Sequence, residues 1–397
     1  MKKVTLPSPS TLLRQWNKRF SAPALLKRIR ADFGKVTDPR SGRQEFSLPD
    51  VLMSGLAVFG LKYPSLLKFD EQRHEARIRA NLRSLYGVVQ APCDTQMRTV
   101  LDQVAPEELR APFITIHNRL QSPGVLEEYR YLGRFLVDFA GTGKYSSSRV
   151  SCGECCEKHH RNGEVEYYHQ LLGAVIVHPD RKEVLPLFPE AITKQDGETK
   201  NDCETNASKR LLRAVREAFP KLPMIAVEDS LFADGPHIKL LNELDYRYII
   251  VAKSSDLPAM FEEVFRRFHR GEYEEYEELG EDGILRGYRW MTKLPLNKSH
   301  PDILVNFLDY WEIRDGEEYN VGWITDLELT RETVHPVMSA GRGRWQIENE
   351  TFNTLKTQGY SLEHNYGHGQ KHLATVFGML TFLAFLGFSG ILRNNHL

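Results

Sequence analysis

Net charge is almost absent from this sequence: 52 lysines and arginines against 53 aspartates and glutamates leave −1 over 397 residues. A uniformly basic nucleic-acid binder is thereby excluded, and any contact with DNA must come from local patches. Cysteine is scarce too. Five in a chain of this length, three of them crowded into Cys152, Cys155 and Cys156, do not make a secreted disulfide framework and point to a reducing, cytoplasmic compartment. The opening stretch Met1 to Leu13 has two lysines, but Pro7 and Pro9 break its apolar part, which makes it a poor signal peptide. Internal repeats and low-complexity tracts are missing. Long apolar runs are limited to Leu373 to Leu392, twenty residues without a charge between Lys371 and Arg393. That is long enough to span a bilayer. Gly378, Gly387, Ser389 and Gly390 dilute it, however, and the expectation is a buried core helix with no membrane partner.

What is present is an ordinary globular composition, 41% hydrophobic and 26% charged, in a chain long enough for two or three structural units. The first forty-odd residues are basic, with Lys2, Lys3, Arg14, Lys18, Arg19, Lys27, Arg28, Arg30, Lys35, Arg40 and Arg43 against few acids. This is either an electrostatic footprint for DNA or a solvated tail. Ser47 and Asp50 have N-cap spacing before Val51 to Leu61, and Asp94 to Val104 and Pro106 to Leu120 read as amphipathic helices. Residues 1–128 therefore form a helical N-terminal domain, expected to bind DNA.

Strands follow. Leu132 to Phe139, Tyr167 to His178 and Glu183 to Phe188 come first, the last two joined by the tight turn His178-Pro179-Asp180-Arg181. Next come a helix from about Glu204 to Phe219, a strand Met224 to Glu228, a helix from about Pro236 to Leu244 and a strand Tyr246 to Ala252. That order describes a mixed sheet opened by an antiparallel meander and completed by crossover helices, with ligands at the strand carboxyl ends. Residues 129–269 make the first part of this α/β core. Residues 270–335 are a β-rich insertion with Trp- and Tyr-bearing strands Tyr288 to Met291, Leu304 to Ile313 and Tyr319 to Thr325. The acidic run Glu272 to Asp282 reads as a solvated face. Residues 336–397 return to helix and complete the core.

Two strand ends carry acids. Asp138 follows Phe135-Leu136-Val137 and precedes Phe139-Ala140-Gly141, and Asp229 follows Ile225-Ala226-Val227-Glu228. The segment Arg344-Trp345-Gln346-Ile347-Glu348 presents a third on a helix, with Arg344 one turn from Glu348 on the same face. Glu350 would lie roughly 200° around the axis from Glu348, so both cannot face one site. Oxygen-only ligands of this kind suit two Mg²⁺ or Mn²⁺ ions.

This set resembles the DDE insertion-sequence transposases of the subgroup whose RNase H-like core is split by a β insertion. The similarity covers nearly the whole chain and is most specific in the Arg344 to Glu348 motif. Two positions depart from the family pattern. Its tyrosine three residues before the arginine is Gly341 here, and its lysine seven residues after the glutamate is Leu355, with Lys356 the nearest lysine. The resemblance implies an RNase H-like mixed sheet and a cut-and-paste transposase that cleaves element ends and joins them to target DNA. Asp138, Asp229 and Glu348 would hold the two metal ions while Arg344 and Lys356 contact DNA, and a tryptophan among Trp290, Trp311 and Trp323 would stack on a flipped base. Double-stranded DNA as partner, a homodimer on that DNA and a bacterial nucleoid-associated location are implied likewise. The alternatives are a transposase-derived DNA-binding protein without catalysis, or an RNase H-like nuclease that cuts without joining.

A second constellation, Cys152-Gly-Glu-Cys155-Cys156-Glu-Lys-His159-His160, offers candidate zinc ligands from one loop. His364, His368 and His372 recur every fourth residue, but the intervening glycines predict a loop contacting the DNA backbone or solvent rather than a metal.

Overall fold

Local signals start the helical part as expected. The Ser47 hydroxyl accepts the Asp50 backbone N–H at 3.2 Å, opening a helix whose residues are almost all buried. In this computed structural model residues 21–121, 124–314 and 316–387 are described. The basic residues Lys2, Lys3, Arg14, Lys18 and Arg19, and the apolar run beyond Gly387, lie outside them. Among the described residues six helices come first: α1 (Ala22–Phe33), α2 (Leu48–Gly60), α3 (Leu66–Gln72), α4 (Ala76–Ser84), α5 (Asp94–Leu101) and α6 (Ala111–Gln121). The polar α4 escapes periodicity because it buries only Leu82.

Twelve strands follow, β1 (Arg130–Tyr131), β2 (Arg134–Ser147), β3 (Cys156–His159), β4 (Val165–His178), β5 (Arg181–Pro186), β6 (Glu190–Ile192), β7 (Met224–Glu228), β8 (Tyr246–Ala252), β9 (Glu274–Leu279), β10 (Leu285–Pro295), β11 (Leu304–Arg314) and β12 (Glu317–Thr325). One sheet collects them all, in the order β3-β4-β2-β7-β8-β12-β11-β10-β9, with β1 beside β2 and both β5 and β6 beside β4. The β2–β4 pair is antiparallel, whereas β7 and β8 join in parallel, so the α/β mixed sheet is as expected. The β-rich segment is inserted in sequence but not in space. Its last strand pairs with β8 from Gly322–Ala252 to Thr325–Ile249, and the sheet runs on through it. The acidic run becomes the mostly exposed edge strand β9, where charge discourages pairing with another chain.

Helices cover both faces. Along β2, residues 138, 140 and 142 point one way and residues 139, 141 and 143 the other. On the first face Gly173, paired with Ala140, sits under Phe352 and Ile347, and Gly378 sits against Leu171. On the second, Gly141 lies against Glu204 of α7 (Lys200–Ala218), which is followed by α8 (Gly235–Glu243). Then come α9 (Pro258–His269), α10 (Val334–Arg342), a π-helical segment Ile347–Phe352, α11 (Asn353–Thr357) and α12 (Leu373–Phe385).

Every residue of α12 is buried, and among the described residues no helix is long and apolar enough to cross a membrane. Phe59 of α2 meets Phe377 at 5.7 Å and Tyr366 at 5.0 Å between ring centroids. Helices α2 and α12, far apart in sequence, thus share one core.

Candidate functional site

Asp138 is completely buried inside β2, opposite Val175 on β4 and Val227 on β7. It was expected at a strand tip. The strand instead continues to Ser147 because β4 goes on pairing with it, while the parallel pairing to β7 stops at Asp138. The carboxylate therefore lies where the neighbouring strand gives out. Neither of its oxygens makes a hydrogen bond of good geometry, the Ile347 backbone N–H approaching it only loosely. Burial pushes its pKa well above the usual carboxylate value, and the nearby charges of Glu348 and Glu228 add to the rise, against the pull of the Arg344 guanidinium and the Ile347 backbone N–H.

Asp229 is the first residue past β7, half-buried, and it accepts the Leu231 N–H at 2.7 Å to cap a short turn. Since Val227 is level with Asp138, Asp229 is one strand over and two residues along. Strand spacing and rise put the two α-carbons roughly 8 Å apart. Glu204 of α7 is also close: burial and the Asp229 charge raise its pKa, although the Gly141 N–H and Lys200 oppose this.

Glu348 lies in the π-helical segment, a rare geometry that recurs at functional sites. Its carboxylate is 53% exposed and receives Arg344 Nη1 at 2.8 Å, while Arg344 itself is 14% exposed. Asp138, Arg344 and Glu348 are thus brought together. The three acids do not close into a tight cage: among the described residues, the group of ligating atoms lying within 4.8 Å of one another is a Cys/His cluster. Carboxylates that share two ions about 4 Å apart need no such closeness.

The other expected DNA-contacting residues divide. Lys356 is paired with Glu363 at 2.8 Å. Leu355, where the family pattern has lysine, is fully buried core. Trp290 and Trp323 are 3% and 1% exposed and pack in the interior, so neither offers a face to a base, and half-buried Trp311 lies over Gly287. Trp345 was overlooked. It is 50% exposed beside Arg344, and its only sequence signal was a large aromatic between charged and polar neighbours.

The second expected metal site is half right. Cys152 and Cys155 do approach a common point, but Cys156 turns away toward the Ile192 carbonyl, His159 pairs with Glu157 and His160 with Glu166. A β-strand cannot fold its own consecutive side chains onto one centre. The remaining ligands come from afar: His169 on β4 and His368 in the glycine-bearing loop before α12. The His364, His368, His372 series therefore supplies one member of a cluster that could hold a metal, since the loop turns only His368 inward. Gly369, at φ 73°, provides the left-handed turn that follows it. This cluster can bind a metal ion. Cys155 and His169 hold the Cys152 thiol far below its usual pKa, while Cys155 itself is driven up by Cys152 and by burial.

One more pair went unseen. Glu228 and His237 of α8 are both fully buried and 2.8 Å apart on the second face of the sheet, directly behind Asp229. No protein-family model matches this chain, and no curated protein matches it either.

Proposed function

We propose that the chain is a DNA transposase of the DDE type, a phosphoryl transferase on an RNase H-like core that cleaves the ends of a mobile element and joins them to target DNA. The observation that carries this reading is Asp138, a wholly buried carboxylate with neither oxygen in a well-formed hydrogen bond, close to the charges of an arginine and a second carboxylate. Leaving such a group unpaired costs several kcal/mol in most proteins, about 1–3 kcal/mol even by conservative scales, and folds retain such groups where function needs them. The meander followed by parallel β7 and β8 supports the core assignment.

Asp138, Asp229 and Glu348 are the residues that would hold Mg²⁺ or Mn²⁺. A pair of such ions supplies activation of the attacking water or 3′-hydroxyl and stabilisation of the leaving oxygen. The chain's own contribution is positioning. Arg344 pairs with Glu348, and its guanidinium would be free to grip a phosphate if the Glu348 carboxylate were engaged by a cation. Trp345, beside it, presents an aromatic face on which an unpaired base can stack. Lys356 reaches DNA only after leaving Glu363. Double-stranded DNA is the partner, and a homodimer is needed to handle two ends together.

The test is cleavage and strand joining with Mg²⁺ on a plasmid carrying the DNA that flanks the coding region. Asp138→Asn and Asp229→Asn should each abolish both steps while DNA binding persists. Retained cleavage in either variant rejects the assignment; cleavage without joining identifies a nuclease, and binding without cleavage by the unaltered chain identifies an inert DNA-binding relative.

A further inference from the structure

Four side chains outside the acidic site converge on one point. Cys152 and Cys155 come from the loop between β2 and β3, His169 from β4, and His368 from the loop before α12. The two sulfurs are 3.7 Å apart; Cys152 Sγ and Cys155 Sγ lie 3.4 and 3.5 Å from His169 Nε2, and Cys155 Sγ lies 3.3 Å from His368 Nε2. A tetrahedron with Zn–S bonds of about 2.3 Å and Zn–N bonds of about 2.0 Å has S···S edges of roughly 3.8 Å and S···N edges of roughly 3.5 Å. These four of the six edges agree to about 0.2 Å, and all four ligand atoms lie within 4.8 Å of one another. The sulfurs are far too distant for a disulfide, and both cysteines are free.

We propose that Cys152, Cys155, His169 and His368 form a closed structural zinc site that staples the C-terminal loop to the sheet. With four protein ligands no coordination position is left for water or substrate, which separates a structural site from a catalytic one. Burial agrees: Cys155 is 1%, His169 5% and His368 9% exposed. Held as thiolates, the two cysteines would supply the two negative charges that balance the dication.

What the ion would join is far apart in sequence, since Cys155 and His368 are 213 residues from each other. The surroundings hold both sides in place. Gln195 Nε2 donates to the Gly153 carbonyl within the Cys-x-x-Cys turn at 2.6 Å. After His368, the Asp102 carboxylate accepts the backbone N–H groups of Gln370, Lys371 and Leu373 at 2.9–3.0 Å. Glu154 pairs with His372 at 3.0 Å across the same junction. The motif bearing Arg344 and Glu348 leads through α11 into this loop, so the staple fixes where that segment ends.

Metal analysis of the full chain from zinc-supplemented culture should find about one zinc per chain. A strong chelator should remove it, expose two further thiols to titration and lower the melting temperature. Co²⁺ in its place should give the intense visible absorption of a tetrahedral thiolate site. Cys152→Ser and His368→Gln should lose the metal, whereas Cys156→Ser, His159→Gln and Asp138→Asn should keep it. Should the ligand variants fail to fold, the unaltered chain decides. Zinc-free protein with Cys152 and Cys155 oxidised to a disulfide, an octahedral cobalt spectrum, or loss of zinc from Cys156→Ser would each overturn the proposal.

Discussion

Trp323 occupies the space that a side chain on Gly341 would need: a β-carbon there would stand 2.5 Å from the indole Nε1. Gly341 is where the transposase pattern has tyrosine, so the departure belongs to packing between α10 and β12. Introducing a tyrosine there should therefore harm the protein. Gly341→Tyr is expected to lose about 1–3 kcal/mol or more in urea denaturation. Trp323→Ala should recover part of that loss in the double variant, and strictly additive effects would disprove the contact as the cause.

Asp138 should cost stability in the absence of divalent ions. Its folded pKa is raised, so its unfavourable contribution begins as pH climbs past the ordinary 3.8 and grows until the folded value is passed. Asp138→Asn should melt about 2 °C higher than the unaltered chain at neutral pH, a gain of ~1–2 kcal/mol. Millimolar Mg²⁺ should stabilise the unaltered chain and leave the variant unmoved. Equal stabilisation of both would remove Asp138 from the ion site.

The Glu228–His237 pair makes a prediction of opposite sign. Burial lowers the His237 pKa, but the charge and hydrogen bond of Glu228 outweigh it, leaving a net rise above 6.5. The stabilisation is complete below pH 6.5 and disappears as pH rises through the raised folded value. Comparing unaltered and Glu228→Gln protein by denaturant titration should show a gap of about 3 kcal/mol at pH 6 that narrows in alkali. A gap that widened with pH would contradict the ion pair.

Asp102 behaves as an acid whose charge the fold uses. Burial works to raise its pKa, yet the backbone N–H groups of Gln370, Lys371, Leu373 and His372 bring it below 3.8. Its contribution is present above pH 3.8 and fades as pH falls through the lowered value. Asp102→Ala should cost about 1–3 kcal/mol at pH 7, with a smaller deficit at pH 3. Amide hydrogen exchange should quicken at residues 370–373, and exchange unchanged there would show that the cap holds nothing.

Trp345 and Trp290 separate stacking from packing. Trp345→Ala should weaken binding to single-stranded or flap-bearing DNA by roughly tenfold, about 1–3 kcal/mol, with an unchanged melting temperature. Trp290→Ala should do the reverse, losing about 3–5 kcal/mol of stability. Undiminished DNA binding by Trp345→Ala would remove it from the proposed interface.

Much of the architecture was legible in the order of residues. Strands β7 and β8 emerge with the residue bounds that their apolar runs predict, the His178 to Arg181 turn closes the expected hairpin, and the part of the uncharged C-terminal run from Leu373 to Phe385 is buried. These follow from local chemistry, because alternation and turn residues report which side of a segment faces away from water. Tertiary structure alone decided the rest. Nothing in the spacing of Cys152 and Cys155 points to His169 or His368, and nothing local distinguishes buried Trp323 from exposed Trp345. The reason is physical: periodicity records that a face is covered but not what covers it, and the convergence of distant side chains is set by strand register and by which helix crosses which face.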